Sequence, residues 1–420
     1  MTEDVKKASA LERGLMASLR HIPKTIWCLG IATFLMNAST IIIFSFSPLF
    51  LMASFSINAL GIGIIEAVVE STSWVMRIIS GILSDYFRKR KVFVLISYSL
   101  AALARPIFPL ATSATWIFIG RMVDRVANGL QATPREALIA DLAPPGLKGA
   151  CFGLRQALGT AGSAVGAFLG VVIMKISGGN YQLVFWVATI PAILAVALLV
   201  FMIEDPRFTA ETQSPVKSMK KKFSPIDWRA LASFPWSFWV ILVVTVIFLM
   251  GRFSGAFLIT FAKHSGLPEH LAPTVMIIFN IFSTISAYPL GALSDRIDRK
   301  FALLIGFLMI IVADVILYFA TSVQMMLLGV VFWGVQFGIT QSIPMAMVAD
   351  EAPKGLRGTA FGIFYLSNGV ALFIANLLAG FCMNQYGPNS AFMASGCIIV
   401  FAVLGICFLQ KEKRAQTPVG

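Results

Sequence analysis

The sequence lacks most of the residues and motifs from which enzymes and secreted proteins build their sites. Its three histidines, His21, His264 and His270, have the spacing of neither a metal site nor a metalloprotease. Its five cysteines are odd in number and lie in apolar segments, which excludes a disulfide framework and a zinc site. No GxxxxGK(S/T) phosphate-binding motif occurs, so ATP is disfavoured as an energy source. Nothing resembles a nucleophile beside its base, so an enzyme is disfavoured as well.

Charge is scarce, and apolar residues are abundant. Asp, Glu, Lys and Arg make up 13% of the chain, apolar residues 58%, and the mean hydropathy is +0.83. A helix needs about 20 apolar residues to cross a bilayer, and runs of that length recur along nearly the whole chain. Only helices and closed barrels satisfy backbone polar groups in lipid, and these runs are too long for barrel strands. The sequence therefore predicts an all-α polytopic membrane protein.

Basic residues set the predicted topology. We expect about twelve spans, at 25–53, 60–83, 92–111, 114–140, 149–174, 181–203, 235–262, 270–294, 301–320, 323–349, 357–384 and 388–410. Most of the 33 Lys and Arg residues fall in the termini and alternate loops, whereas the opposite loops hold Lys175 and Lys263. This positive-inside pattern predicts cytoplasmic termini and a cytoplasmic central loop. It also assigns the net charge of +13 to topology rather than to nucleic-acid binding. We expect no cleaved signal peptide, because the polar N-terminal stretch has no small-residue cleavage site.

Two sequence motifs occur twice in the chain. GILSD at 81–85 returns as GALSD at 291–295, and ADLAPPGLKGACFG at 140–153 returns as ADEAPKGLRGTAFG at 349–362. Both offsets are close to half of the 420 residues, which predicts two halves of like topology. We expect an N-terminal six-helix half at 1–203, a cytoplasmic linker at 204–234 and a C-terminal six-helix half at 235–420.

The duplicated loop motif resembles the signature of the major facilitator superfamily. The second copy, GALSDRIDRK at 291–300, is close to that family's cytoplasmic loop, and in the first copy Tyr86 and Arg88 replace the usual Arg and Gly. Twelve spans and a 6+6 repeat extend the resemblance over nearly the whole chain. It implies the major facilitator fold, with twelve transmembrane helices in two pseudo-symmetric halves. It also implies a secondary active transporter that works by alternating access.

Acidic residues at the predicted cytoplasmic ends of helices are candidates for gating. An acid at a helix C-terminus is unfavourable with the helix dipole and needs a basic partner or a neighbouring helix N-terminus. The alternative is that these loops only fix the topology. The candidate gating residues are Asp85, Arg88, Arg90, Asp141, Asp295, Arg296, Arg299 and Asp350.

Ionisable residues within the spans are concentrated in the first half. Such residues are costly in lipid and usually face a cavity or one another. The repeat replaces the polar positions of the fourth span, Arg121, Asp124, Arg125 and Asn128, by Val331, Gly334, Val335 and Gly338. Because the second copy folds without those charges, we interpret them as functional.

Helical spacing predicts pairs between spans two and four. Glu66 and Glu70 share one face of span two, and Arg121 and Arg125 share one face of span four. At about 1.5 Å per residue, Glu66 lies at the depth of Arg121 and Glu70 at the depth of Arg125. We therefore predict two Glu–Arg pairs if these helices touch.

A buried Glu beside an Arg can switch between its ionised and protonated forms, which suits proton coupling. The stretch Arg125-Val-Ala-Asn128-Gly129 resembles the R-x-x-Q-G motif of proton-driven exporters in the superfamily, with Asn for Gln. The resemblance implies that Arg125 is the coupling residue and Glu70 its acid. The alternative is a static ion-pair network that locks the first half together. The proton-coupling candidates are Glu70, Arg125, Glu66 and Asp124.

Arginines outnumber acids within the spans, and a guanidinium suits a carboxylate or phosphate. The resemblance places spans one, four, seven and ten around the central path. We therefore expect an anionic or zwitterionic substrate. The candidate cavity residues, most of which are alternatively packing residues, are Arg121, Arg252, Arg77, Asn128, Asn37, Phe44, Asn280, Gln336, Gln341 and Tyr365. Deeper in the bundle, we expect Arg77 to meet Glu136.

The predicted function is alternating-access transport of a small organic solute, driven by a proton gradient without a bound cofactor or metal. We expect proton-coupled antiport, that is, efflux. The alternatives are proton symport of an anionic nutrient or siderophore, and a transport-inactive membrane receptor. The expected partners are the solute, protons and membrane lipid, with no nucleic acid. We expect a monomer in a bacterial-type inner (plasma) membrane.

Overall fold

Helices make up almost all of the chain that the structure describes. The computed structural model describes residues 22–87, 90–144, 148–202, 234–294, 299–340, 343–352 and 357–416, and these ranges contain no strand. The first half forms α1 (Lys24–Phe55), α2 (Ala59–Phe87), α3 (Arg90–Ala104), α4 (Ala114–Leu142), α5 (Lys148–Ile176) and α6 (Tyr181–Met202). A short 3-10 turn, Arg105–Ile107, follows α3. Each of these six helices corresponds to one predicted span.

The second half repeats this order, and its first predicted span is divided into two helices. It forms α7 (Trp236–Gly251), α8 (Gly255–His264), α9 (Thr274–Ser294), α10 (Arg299–Tyr318), α11 (Val323–Thr340), α12 (Ile343–Glu351), α13 (Arg357–Tyr386) and α14 (Ser390–Gln416). The predicted span 235–262 agrees with the candidate membrane span Trp236–His264, but the helix is interrupted within it, because Arg252 has an extended backbone and ends α7. Ser254 then caps α8 by accepting a hydrogen bond from the backbone N–H of Ala256. We call residues 252–254 the span-seven break.

Helix starts define the repeat more closely than the sequence motifs do. Ala114 of α4 corresponds to Val323 of α11, an offset of 209 residues, and the start of α6 has the same offset from the start of α14. Asp124 therefore corresponds to Trp333 rather than to Gly334. The conclusion that the second half lacks these charges is unchanged.

Eight stretches among the described residues are long and apolar enough to cross a membrane, and one of them, Trp236–His264, includes the span-seven break. Thr274–Ser286 and Ser390–Ile406 are shorter apolar helices. The helix α4 is not among the eight, and it carries the charged residues Arg121, Asp124, Arg125, Arg135, Glu136 and Asp141. Its charges must therefore find partners inside the bundle.

The two halves of the chain contact each other mainly through two pairs of helices. The helix α2 packs against α13, and α5 packs against α9. At Gly63 a Cβ atom would lie 2.9 Å from the Cα of Gly380, so the α2 and α13 backbones are nearly in contact there. Within the first half, α4 packs against both α2 and α3. These contacts bring the charged face of α4 to the interior of the protein.

Candidate functional site

A buried ion pair joins α2 to α4. Arg121 and Glu66 are 3% and 0% exposed, and the two terminal nitrogens of the guanidinium contact the two carboxylate oxygens. The Nη2–Oε2 distance is 3.1 Å. The Arg121 guanidinium also lies 5.3 Å from the centre of the Phe44 ring on α1. The predicted pairing of Glu66 with Arg121 is confirmed, with the bidentate geometry that makes such pairs strong.

Glu66 also contacts the second half of the chain. The Ser254 hydroxyl donates to Glu66 Oε2 at 2.8 Å, and the Ser254 backbone N–H donates to Asn376 Oδ1 at 2.7 Å. One carboxylate therefore joins α2, α4 and the span-seven break, while Asn376 fixes the break to α13. Sequence reasoning missed Ser254 and Asn376. The available signal was the polar step Arg252–Ser254, directly before Gly255, within an apolar run.

The second predicted pair also forms, with looser geometry. Arg125 Nη1 lies 3.6 Å from Glu70 Oε1, and the two side chains are 14% and 23% exposed. Arg125 Nε lies 3.8 Å from Asp124 Oδ2. Glu70 is therefore the more accessible of the two α2 acids, and Glu66 is the enclosed one.

Asp124 is paired with Arg105, for which the sequence predicted no partner. Arg105 is 0% exposed, and its Nη2 lies 2.8 Å from Asp124 Oδ1 and donates to Thr40 Oγ1 at 2.7 Å. Asp124 thus contacts Arg105 on one side and Arg125 on the other. This geometry is typical of an ion pair that fixes α3, α4 and α1 together.

Arg252 lies in the span-seven break and has no ion-pair partner in the part of the chain that the structure describes. Among the described residues, no carboxylate lies within 4.0 Å of its guanidinium. Its Cζ instead lies 4.7 Å from the ring centre of Phe337 and 5.8 Å from that of Phe248. Aromatic faces stabilise a cation without neutralising it. Arg252 therefore keeps a positive charge that can bind an anion.

The expected contact between Arg77 and Glu136 is wrong. Glu136 pairs with Arg155 of α5 at 3.2 Å and with its neighbour Arg135 at 3.4 Å. The guanidinium of Arg77 stacks 4.4 Å from the ring centre of Trp74, one turn back on α2. Arg155 of α5 occupies the position beside Glu136 that was predicted for Arg77. Counting depth along α2 and α4 did not take α5 into account.

An aromatic contact between the halves adjoins Arg77. The Trp74 ring of α2 lies 5.7 Å from the Tyr365 ring of α13, which also stacks on Phe361 at 6.3 Å. Arg77, Trp74 and Tyr365 thus form a continuous cation–aromatic cluster across the two halves.

Among the uncharged cavity candidates, two donate hydrogen bonds to backbone carbonyls and a third is fully buried. The amides of Asn37 and Asn280 donate to the backbone carbonyls of Gly159 and Met276, at 3.0 and 2.7 Å. Gln336 is fully buried, and its Nε2 has no hydrogen-bond partner among the described residues.

Two further cavity candidates are Asn128 and Gln341. Asn128 is half-buried on α4, one turn beyond Arg125, and Gln341 lies outside the described residues.

Two equivalent ion pairs occupy the basic end of the bundle, by which we mean the end that carries the Lys- and Arg-rich loops. Arg90 contacts Asp141, and Arg299 contacts Asp350, in equivalent positions of the two halves. Each pair ties the start of one helix to the end of another within the same half. Four gating candidates cannot be placed in this way. Arg88, Asp295 and Arg296 lie outside the described residues, as does the side chain of Asp85.

Known proteins share both this sequence pattern and this fold. The Major Facilitator Superfamily model matches residues 29–268 and again residues 241–419. An uncharacterized MFS-type transporter of Methanocaldococcus jannaschii is 26% identical over 93% of this chain and 96% of its own. The glucose transporter GlcP of Staphylococcus epidermidis is 23% identical over 84% and 86%.

A solved structure of a D-xylose-proton symporter superposes with a TM-score of 0.71. It covers 91% of this chain and 96% of its own at 16% identity, so it shows the fold alone. The family and the relatives named here are transporters rather than enzymes. The chain belongs to the Major Facilitator Superfamily and is a multi-pass membrane secondary transporter.

Proposed function

We propose that this protein couples proton movement to the transport of a small anionic or zwitterionic organic solute. The observation that carries the proposal is Glu66, a buried acid that contacts Arg121 of its own half and Ser254 of the other half. Protonation of a carboxyl at this position changes both an arginine contact and the contact between the halves.

Proton binding at Glu66 has two direct consequences. The neutral carboxyl no longer attracts Arg121 as an ion, so the guanidinium becomes available to an incoming anion. The neutral carboxyl is also a weaker acceptor for the Ser254 hydroxyl, so the contact between the halves loosens. Alternating access needs both effects, because solute binding and movement of the halves must respond to the same proton.

Glu70 is the second proton site in this proposal. Its contact with Arg125 is longer and more exposed than that of Glu66 with Arg121, so a proton reaches it more readily. Asp124, between Arg105 and Arg125, fits a fixed ion pair better than a carrier of protons.

Arg252 supports the solute class. It is a half-buried cation beside aromatic rings, two residues before Ser254 in the break. A guanidinium with a free fork binds carboxylate or phosphate, and the Trp74–Tyr365 cluster offers aromatic surface to the organic part. Arg252 and a released Arg121 would hold the anionic group, with Arg77, Asn128, Phe44 and Gln336 near the path.

Orientation and direction complete the proposal. The positive-inside pattern supports a cytoplasmic basic end and cytoplasmic termini, and the membrane in this proposal is a bacterial-type inner membrane. The R-x-x-N-G stretch at 125–129 favours antiport of the solute against protons. Symport is the second candidate, since a D-xylose-proton symporter shares the fold. The Arg90–Asp141 and Arg299–Asp350 pairs would act as gates at the cytoplasmic end of a monomer.

The proposal is tested by reconstituting the protein in vesicles that contain a pH-sensitive dye. Organic carboxylates, phosphorylated metabolites, siderophores and cationic drugs are added in turn. We expect a pH change with at least one anionic or zwitterionic solute, and its sign separates antiport from symport. Arg252→Ala should abolish that signal, whereas the control Lys263→Ala should preserve it. A pH change with cationic drugs alone would contradict the solute class, and no pH change with any solute would contradict transport coupled to protons.

A further inference from the structure

A buried acid in the second half has no role in the mechanism above. Asp314 lies on α10 and is 1% exposed. The indole N–H of Trp333 on α11 donates to its Oδ1 at 3.0 Å, and the Ser395 hydroxyl on α14 donates to its Oδ2 at 2.5 Å. Both donors are neutral, so the carboxyl is hydrogen-bonded but not ion-paired among the described residues.

Among the described residues, the helices packed against α10 provide no compensating cation near Asp314, and α12 carries only the acids Asp350 and Glu351. The sequences of α7 and α11 contain no ionisable residue. On α14 the ionisable residues are Cys397, which is exposed, then Cys407 and the charged group that begins at Lys411. On α10 itself they are Tyr318, one turn away, and Arg299 and Lys300 at its start, the nearer about 21 Å along the helix. An isolated carboxylate is costly in such an interior, which favours the neutral, protonated carboxyl.

The repeat shows what the first half does at the same two positions. With the offset of 209 residues that relates Ala114 to Val323, Asp314 corresponds to Arg105 and Trp333 corresponds to Asp124. In the first half these positions form an ion pair, Arg105–Asp124. In the second half an acid faces a neutral indole instead. A fixed pair in one half is thus replaced by a single protonatable group in the other.

Both hydrogen-bond donors to Asp314 also touch the span-seven break or the residue before it. The ring of Trp333 lies 5.3 Å from that of Phe253, in the middle of the break. The backbone carbonyl of Ser395 lies 3.1 Å from where a Cβ of Gly251 would be, directly before Arg252. A shift of the break therefore moves the donors that stabilise an ionised Asp314.

We propose that Asp314 is a proton-binding site of the second half, and that the position of the span-seven break sets whether it holds its proton. When protonated, its O–H donates to Ser395 Oγ and the site is neutral. When the proton leaves to water, the carboxylate is held by the Trp333 N–H and the Ser395 O–H, and approach of Arg252 would offset its charge. The site differs from Glu66 in helix, half and partners, so it goes beyond the proposed function.

Infrared difference spectra of the reconstituted full-length protein, recorded while the pH is stepped, test the first part. We expect a protonated-carboxyl band that disappears as the pH rises, is missing in Asp314→Asn and persists in the control Glu269→Gln. Identical pH-dependent spectra of the wild type and a folded Asp314→Asn variant would overturn the proposal. The test needs neither substrate nor gradient, so its outcome is independent of the transport assay.

Two further variants keep the proposal falsifiable if Asp314→Asn does not fold. Ser395→Ala removes a hydrogen bond from both forms of the carboxyl, and the one to the charged carboxylate is the stronger, so the midpoint of the band should move to higher pH, by roughly tenfold in proton concentration. Phe253→Ala removes the ring that links the break to Trp333 and should also shift the midpoint. An unchanged midpoint in Ser395→Ala overturns the assignment of the band to Asp314. An unchanged midpoint in Phe253→Ala overturns the link to the break.

Discussion

Glu66 and Ser254 are far apart in the chain and belong to different halves, yet the Ser254 hydroxyl donates a 2.8 Å hydrogen bond to Glu66 Oε2. The same carboxylate holds Arg121 in a bidentate ion pair. A single acid thus connects the most enclosed charge pair of the first half to the break in the seventh span. This relationship makes the ionisation of Glu66 relevant to how the halves sit against each other.

Ser254→Ala should loosen the contact between the halves without unfolding the protein. A hydrogen bond to a charged group contributes about 1.5–3 kcal/mol, so the balance between the two conformations should shift roughly 10- to 100-fold. Spin labels at Ser113 and Ser322, which directly precede α4 and α11 at the end opposite the basic one, would report the change as a longer distance population. Ser265→Ala, which removes only a bond to the carbonyl of Phe261, is the matched control. Equal distance distributions in both variants would contradict the prediction.

Arg121→Ala should destabilise the protein more than the double variant Glu66→Gln/Arg121→Gln. Removing one partner leaves a buried carboxylate without its cation, at a cost of about 3–5 kcal/mol, whereas removing both charges leaves a neutral contact. Thermal unfolding in detergent measures the order of stability. A double variant less stable than Arg121→Ala would show that the ion pair itself contributes net stability and is poorly suited to switching.

Asp124→Asn should reduce stability and yield more than it reduces proton coupling. The substitution leaves Arg105, which is fully buried, without its carboxylate. Glu70→Gln should show the opposite pattern, because its contact with Arg125 is partly exposed. Expression level and solute-driven pH change, measured on both variants, separate the two roles. If Asp124→Asn lost proton coupling at normal yield, the prediction would be contradicted and Asp124 would be a proton-coupling residue.

The pairs Arg90–Asp141 and Arg299–Asp350 should matter for turnover rather than for folding. Both are partly exposed, and exposed ion pairs contribute about 0–1 kcal/mol. Asp141→Asn and Asp350→Asn should therefore unfold at nearly the wild-type temperature while solute flux falls. The charge-swapped double variant Arg90→Asp/Asp141→Arg should recover part of the flux. Wild-type solute flux in Asp141→Asn and Asp350→Asn would contradict a gating role and would indicate that these pairs only fix the topology.

The features that sequence reasoning predicted correctly depend on regular helices within one half. The Glu66–Arg121 and Glu70–Arg125 pairs follow from counting depth along α2 and α4, which run side by side. The Arg77–Glu136 contact followed the same reasoning and is wrong, because α5 supplies Arg155 at that depth. Depth alone does not show which third helix enters the same layer.

Contacts between the halves were not predictable in this way. Ser254 meets Glu66 only because the seventh span breaks at Arg252 and because α2 docks against α13 through Gly63 and Gly380. Neither the irregular backbone nor the docking of the halves produces a periodic pattern of residues in the sequence. The sequence likewise does not show that the Trp333 N–H and the Ser395 hydroxyl both donate to Asp314.

The central claim is that Glu66 carries the coupled proton, and its most direct test compares two activities of Glu66→Gln in vesicles. Exchange of labelled solute across the membrane, without net proton movement, reports binding and alternation of the halves. Solute-driven pH change reports coupling. We predict that Glu66→Gln retains solute exchange and loses the pH change, while Glu269→Gln retains both. A Glu66→Gln variant that keeps the full pH change would contradict the account.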